Sequence, residues 1–479
     1  MPKIEFRQAL PPDLPSLVPV GAVPEADASL ADVAGFRAEP GQVLEPMSVP
    51  RRLLLGTGGG TRLDLETAGA AAARHGTTMP HLALDARGID AEATASLVAG
   101  LVLGAWRFDA YRSTAPKPAL SRLVVVTAHR RAAREAWKRA EAVVRGVLFA
   151  RDLVAEPANH LTTQRFARRL ETLEAHGIEV KVLGRRQLEK LGYGALLAVG
   201  RAAATPPRLV VLRWPGSIEA PPVAFVGKGI VFDTGGISIK PAQGMEAMRA
   251  DMAGAAACAG AILSLALRRS PAPAIAVLAL AENATGADSY RPGDVLRTGS
   301  GRTVEVVDTD AEGRLVLADA LHHAQGFAPR AVIDLATLTG AIVTALGPHR
   351  AGLFGSDAAL MAALAASGEA VGERLWPMPI GEGHRADLES DIADIRQCAP
   401  SNRGEGGWKG RLLPDACHAA AFLREFAGSA PWAHLDIAAM DTADAPHALG
   451  PAGPTGFGVR LLDHLVATRF EEVDHHAHP

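Results

Sequence analysis

Apolar positions along this chain change their period several times, and each change predicts an element. Arg52–Leu55 and Leu123–Thr127 are short apolar runs that read as strands. From His129 to Asp152 the spacing lengthens: Ala133, Trp137, Ala140, Val144 and Leu148 recur at three and four residues, which predicts a helix. Pro157-Ala158-Asn159 closes that segment. Further runs at Arg208–Leu212, Val223–Val226, Ile275–Leu280, Ala331–Leu335 and His434–Ile437 predict strands, with helices over Ala253–Arg268 and Leu315–Gln325. Runs rich in Val, Ile and Leu that alternate with helices imply a largely buried sheet covered on its faces. Ligands gather where the strands of such a sheet end. The expected fold class is α/β in two domains. A smaller N-terminal α/β domain covers 1–150 and ends in the connecting helix. A larger C-terminal α/β domain covers 151–479, with a mixed central sheet flanked by helices.

Composition narrows the function classes. Lys and Arg number 49 against 52 Asp and Glu, a formal charge of -3, without the basic excess of a general nucleic-acid binder. The helix face carrying Arg130, Arg131, Arg134, Lys138 and Arg139 is interrupted by Glu135 and Glu141, so it reads as solvated or intersubunit surface. Three cysteines, Cys258, Cys398 and Cys417, form no C-x-x-C pair, as in a reduced compartment. Met1–Phe6 lacks an apolar core segment of a leader peptide. The longest apolar stretch, Ala253–Leu267, lies between Asp251 and Arg268 and falls short of the ~20 residues a membrane span takes. A soluble, cytoplasmic protein with no membrane partner is the expectation. Gly56-Thr57-Gly58-Gly59-Gly60 fails the dinucleotide fingerprint because Thr61 stands where the last glycine belongs, and it reads as a turn. The tail Glu471–Pro479, with His475, His476 and His478, reads as a disordered end.

Chemistry concentrates between Gly227 and Arg314. A strand runs into Gly227-Lys228-Gly229, then Asp233-Thr234-Gly235-Gly236 and Lys240. Charged side chains at the mouth of a buried strand are costly unless something pairs with them. Asp251 precedes a helix of small residues, and Asp308-Thr309-Asp310-Ala311-Glu312-Gly313-Arg314 follows later. Asp310 and Glu312, two apart in an extended loop, can face one side and share a ligand. Four carboxylates brought together repel and raise one another's pKa values. Two divalent cations relieve that repulsion. Oxygen ligation suits Mg, Mn or Zn, and a lysine nitrogen favours the transition metals among them. Two ions ~3.5–4 Å apart can activate a bridging water and polarise a carbonyl.

These residues resemble the leucyl aminopeptidase (cytosol aminopeptidase) family, whose catalytic domain carries the same lysine, aspartate and glutamate set. The family's Asn-Thr-Asp-Ala-Glu-Gly-Arg stands here as Asp308–Arg314 with its first position changed. Further matches are Arg151–Asn159, Arg291–Val295, Leu335–Gly340, Trp432–Ala438 and Thr455–Gly458. The resemblance implies an exopeptidase that hydrolyses the N-terminal residue from peptides through a water bridging two ions, Mn2+ or Zn2+, in each subunit. It makes Lys228, Asp233, Asp251 and Glu312 ligands of the tighter ion, and Asp233, Asp310 and Glu312 ligands of the more exchangeable one. Lys228 would ligate as a neutral amine with a depressed pKa. Lys240 would stay charged and stabilise the oxyanion, and Arg314 would hold bicarbonate as general base. Met248, Thr337, Gly340 and Ala438 would surround the first-residue pocket, with the Leu338 carbonyl accepting the substrate amide N–H. The implied assembly is a homohexamer whose sites face a cavity admitting short peptides with a free N-terminus.

Two departures stand out. Asp308 replaces the family's asparagine, and Cys398–Cys417, with Arg403–Gly410 inside it, replaces a shorter glycine-rich loop. Among rivals, no H-E-x-x-H helix is present, and Gly236-Ile237-Ser238-Ile239-Lys240 lacks the final glycine of a nucleophile elbow. A Ser238–Lys240 dyad uses the lysine less economically than the metal reading. The rival of another class is a DNA-binding or structural hexamer with secondary or no peptidase activity, for which the basic helix face is the one supporting feature.

Overall fold

The apolar runs form the strands of two separate sheets, each in its own unit. The computed structural model describes residues 1–76, 79–114, 119–400 and 414–471. One unit comprises Met1–Leu148 with Ala443–Thr455; the other comprises Phe149–Thr442 with Gly456–Pro479. The late segment Ala443–Thr455 lies in the first unit, where Arg74 Nη1 donates to the His447 carbonyl at 3.0 Å.

In the first unit six strands lie in the order Lys3–Arg7, Arg122–Val126, His81–Asp85, Ser16–Val20, Arg52–Gly56 and Val43–Leu44. All pairs but the last are parallel. Thr61, the residue that breaks the glycine fingerprint, caps the helix Arg62–His75: its hydroxyl accepts the Asp64 N–H, and Asp64 accepts the Thr61 N–H. The long helix spans Arg130–Ala155. Its basic face is partly neutralised, since Lys138 meets Glu135 at 2.9 Å and Arg139 pairs with Glu92.

The second unit holds an eight-stranded mixed sheet. In chain order its strands are β1 (Glu179–Leu183), β2 (Arg208–Trp214), β3 (Val223–Asp233), β4 (Ala274–Asn283), β5 (Ala331–Ala336), β6 (Ala351–Gly355), β7 (Leu375–Pro377) and β8 (Trp432–Asp436). They lie β7-β6-β8-β5-β3-β4-β2-β1. The central four, β8, β5, β3 and β4, are mutually parallel, and antiparallel strands flank them on both sides. The helices that matter for the site are α1 (Ala253–Leu267), α2 (Glu312–Gln325), α3 (Gly340–Leu346), α4 (Asp415–Arg424) and α5 (Val459–Arg469).

β3 runs on to Asp233, well past the Val223–Val226 run that its hydrophobicity marks. The glycines that interrupt the apolar pattern do not end the strand. They let α1 lie against it: a Cβ on Gly227 would come within 2.5 Å of Ala255 Cα, and one on Gly229 within 3.3 Å of Ala255 Cβ. Lys228 alternates with them and projects to the opposite face, beside Gly313 of α2. Residues Met245–Leu267 are long and apolar enough to cross a membrane, yet 94% of their most apolar window is buried inside the protein, as in a core helix. All three cysteines are free and buried.

Candidate active site

The site forms at the carboxyl ends of the four parallel strands, where loops leave the sheet. Lys228 and Asp233 come from β3. Asp251 lies between the turn Met245–Ala250 and α1. Asp310 sits in the turn before α2, and Glu312 is that helix's first residue. The extended loop expected around Asp310 and Glu312 is therefore a turn running into a helix, because Asp308 Oδ1 accepts the Asp310 N–H at 2.9 Å and folds the segment back. The pair still converges. Asp233, Asp310 and Glu312 place one carboxylate oxygen each within 4.8 Å of one another.

Two lysines tie the acids together. Lys228 Nζ lies 2.7 Å from Asp251 Oδ1, 2.8 Å from Glu312 Oε1 and 2.8 Å from the Thr337 carbonyl. Lys240 Nζ lies 2.8 Å from Asp233 Oδ2 and pairs also with Asp310. Four carboxylates against two ammonium groups leave an excess of negative charge in a mostly buried place. Burial and the neighbouring Asp233 charge push the Asp310 carboxyl up to about 7, against the pull of Lys240. The same two causes raise Glu312, and burial lifts Asp251 well above the ordinary range. Burial alone would lower the Lys228 ammonium, but Asp251, Glu312 and Asp233 outweigh it and raise its pKa. The neutral amine expected of Lys228 as a ligand belongs to a site in which a cation is bound. The expected depression requires a cation to take over its carboxylate partners.

A second ring of groups fixes these side chains. Asp233 Oδ1 accepts the Asn283 amide at 2.7 Å and the Gly235 N–H at 2.9 Å. Asn283 also donates to the Thr309 carbonyl at 3.0 Å, which Tyr290 reaches with its hydroxyl at 2.8 Å. Thr309 Oγ1 donates to the Gly235 carbonyl at 2.7 Å and accepts the Ser238 N–H at 2.8 Å. Gly235 and Gly236 have φ of 84° and 66°, and a Cβ on Gly236 would reach Thr309 Oγ1 at 2.8 Å, so both conformation and space call for glycine. On the other side, Asp436 accepts the Leu338 N–H at 3.1 Å, the Thr339 hydroxyl at 2.6 Å and the Ala438 N–H at 3.3 Å. Thr337 donates its hydroxyl to Asp251 Oδ1 at 2.7 Å.

The structure therefore gathers Lys228, Lys240, Asp233, Asp251, Asp310 and Glu312 in one cluster, bordered by Thr337, Leu338 and Ala438. Gly340 opens α3 and is exposed; Met248 is half-buried, with its carbonyl accepting the Asp251 N–H at 3.2 Å. Arg314 is buried on α2. Its Nη1 donates to the Gln397 carbonyl at 2.9 Å, and its Nη2 meets Asp415 at 2.9 and 3.0 Å. Of the unusual Cys398–Cys417 segment, residues 401–413 lie outside the described residues, as do His475, His476 and His478. Asn283, Thr309, Asp436, Gln397 and Asp415 were not singled out by sequence. A polar residue closing an otherwise apolar strand, as at Asn283 and Asp436, is the signal that marks two of them.

Residues 148–463 match the cytosol aminopeptidase family, catalytic domain. A probable cytosol aminopeptidase of Brucella ovis is 43% identical over 467 residues, covering 93% of this chain and 92% of that one. A probable cytosol aminopeptidase of Rhizobium etli is 41% identical, covering 95% and 92%. Among solved structures, the bottromycin maturation enzyme BotP in complex with Mn superposes with a TM-score of 0.83 at 37% identity, covering 95% of this chain and 99% of that one. With site, sheet and relatives in agreement, the chain belongs to the cytosol aminopeptidase family and is a leucyl aminopeptidase-type hydrolase.

Proposed function

We propose that the second unit removes the first residue from short peptides with a free N-terminus, using two divalent cations, Mn2+ or Zn2+. One observation carries this reading: three carboxylate oxygens of Asp233, Asp310 and Glu312 within 4.8 Å of one another. The fit of a cation pair is supported by orphaned atoms. Asp251 Oδ2 and Glu312 Oε2 are buried without a hydrogen-bond partner, a costly state for a carboxylate oxygen unless a cation meets it. Asp233, Asp251, Asp310, Glu312 and the Lys228 nitrogen would hold the ions, and that donor set suits Mn2+ or Zn2+. BotP, the related enzyme, is described in complex with Mn. Bound there, such a pair supplies a water of lowered pKa and a Lewis acid for the scissile carbonyl.

The chain's own groups do the rest. Lys240, 21% exposed at the side chain, presents a fixed ammonium where negative charge develops on the carbonyl oxygen. Asp436 pins the Leu338 N–H, so the Leu338 carbonyl is held to accept the substrate amide N–H. Met248, Thr337, Gly340 and Ala438 are assigned to the first-residue pocket. Bicarbonate, which the resemblance puts on Arg314, does not fit the guanidinium as it stands. Nη1 already donates to the Gln397 carbonyl and Nη2 lies against both Asp415 oxygens, while Nε is buried without a partner. The DNA-binding alternative rests on a basic helix face that is partly neutralised, since Lys138 and Arg139 are paired with acids. A cytoplasmic homohexamer belongs to the same proposal, and mass photometry that finds monomers at working concentration removes that part of it.

Turnover of Leu-p-nitroanilide by wild type and Lys240→Ala, with Mn2+ or Zn2+ supplied, tests the reading. The expected result is turnover lost on chelation and about 10²–10³-fold lower in the variant. Absence of turnover on every aminoacyl substrate with metal overturns the function, and undiminished turnover in Lys240→Ala overturns the lysine's role.

A further inference from the structure

Peptide hydrolysis needs a group that takes a proton from water and returns one to the leaving amine. The clustered carboxylates are poorly suited to that task, because in the proposed function Asp233, Asp251, Asp310 and Glu312 are the groups that hold the cations. Outside the cluster, Asp415 is held against α2, the helix that begins with Glu312. Asp415 is the first residue of α4, and both its oxygens lie on Arg314 Nη2, at 2.9 and 3.0 Å. Arg314 is two positions beyond Glu312 on α2, with a side chain only 1% exposed, and the Gln397 carbonyl fixes its Nη1. It is a rigid mount. Asp415 itself is 37% exposed and so keeps access to solvent.

The neighbours of Asp415 point the same way. Ala416 and Cys417 pack with Ile342, Ala341 and Ala438, next to the Thr337–Gly340 loop. Asp415 therefore stands between the arginine that follows Glu312 and the wall assigned to the first-residue pocket. We propose that Asp415 is the proton acceptor of the reaction, held by Arg314, and that this chain needs no external anion for that role. The proposal rests on the aminopeptidase reading and deepens it. As the water oxygen bonds to the scissile carbonyl carbon, one water proton passes to the Asp415 carboxylate. When the C–N bond breaks, Asp415 returns that proton to the leaving nitrogen, and the carboxylate is restored.

The test measures turnover in CO2-free buffer, then with bicarbonate or formate added, for metal-loaded wild type, Asp415→Ala and Asp415→Asn. Metal content and melting temperature are followed alongside. Wild type is expected to ignore both anions. Asp415→Ala should keep its metal yet lose about 100-fold or more in kcat, and regain about tenfold or more, saturably, with formate or bicarbonate. A merely structural aspartate would not be rescued in this way. Asp415→Asn, which keeps a hydrogen bond to Arg314, should be equally slow and serves if the alanine variant unfolds. Turnover near wild type in either folded variant, or saturable activation of wild type by bicarbonate, overturns the proposal. Wild type that hydrolyses no aminoacyl substrate overturns the aminopeptidase reading itself, and this inference with it.

Discussion

Gly313 is bare because Lys228 lies across it: a Cβ there would fall 2.7 Å from Lys228 Cε and 2.9 Å from its Cδ. It would also meet Leu338 Cδ1 at 2.8 Å. A long side chain can normally swing clear of a methyl group. Lys228 cannot, because Asp251, Glu312 and the Thr337 carbonyl hold its far end.

Gly313→Ala should therefore leave the fold in place and damage the site. In a helix the added methyl favours folding by up to ~1 kcal/mol, which offsets part of the crowding. Displacing Lys228 and Leu338 by a fraction of an ångström should lower kcat/KM about 100-fold. Circular dichroism and melting temperature report the fold, and turnover with saturating metal reports the site. Wild-type kinetics in the variant would show that Lys228 has room to move.

Asp436 is predicted to act through the loop it holds. Replacing it by alanine strands the Leu338 and Ala438 N–H groups and the Thr339 hydroxyl, at about 1–3 kcal/mol for each buried donor that finds no new partner. Asparagine is a better substitute. Its oxygen can face the two N–H groups while its NH2 donates to Thr339 Oγ, and burial already raises the Asp436 pKa, favouring a neutral side chain. Asp436→Ala should lose about 100-fold in kcat with metal content unchanged, and Asp436→Asn about tenfold or less. Equal kinetics in the two variants would refute the positioning role.

Stability has its own buried anchor. Asp334 accepts the Trp432 indole N–H at 2.7 Å and lies 2.5 Å from His434 Nδ1, with both ionisable side chains fully buried. Phe354 stacks on the imidazole with centroids 5.7 Å apart. Asp334→Ala strands two donors between neighbouring parallel strands and should cost about 3–5 kcal/mol by urea denaturation. An unchanged midpoint would mean that the network relaxes freely.

Much of this arrangement was legible in the sequence because continuous apolar runs have few alternatives. Arg52–Leu55 and Ala331–Leu335 each fall one residue short of the observed strand, and Ala253–Arg268 overshoots its helix by one. β3 was harder, since Gly227-Lys228-Gly229 resembles a turn locally and is a strand only because α1 and α2 pack on its two faces. The acidic cluster was visible because charged residues among glycine and other small residues at the mouth of a buried strand are costly unless something pairs with them. The role of Asp415 was hidden. Its partner Arg314 is 101 residues away, and nothing in the local pattern links the two. Asn283 and Asp436 carry a local signal, each being a polar residue that closes an apolar strand, but their partners lie 50 and 98 positions away.

Glu373 should make stability fall with rising pH across the acid range. Its Oε2 caps α5, accepting the Gly458 and Leu461 N–H groups at 3.0 and 2.9 Å. Burial nonetheless pushes its carboxyl up to about 7 from 4.5, outweighing Arg460, those two N–H groups and Arg151, which act to lower it. With the folded value above the unfolded one, the native state binds the extra proton. The stabilisation is complete below about pH 4.5, declines as the unfolded carboxyl ionises, and is gone above about pH 7. The ideal loss is on the order of 3 kcal/mol. Glu373→Gln keeps an oxygen for both N–H groups and has nothing to titrate. Subtracting its unfolding free energy from that of wild type, at steps between pH 4.5 and 7.5, cancels the other groups that ionise in this window. The difference should fall steadily and then level off near neutrality. A difference that stays flat or rises over that range would mean that the two helix N–H groups, with Arg460 and Arg151, keep the carboxylate ionised despite its burial.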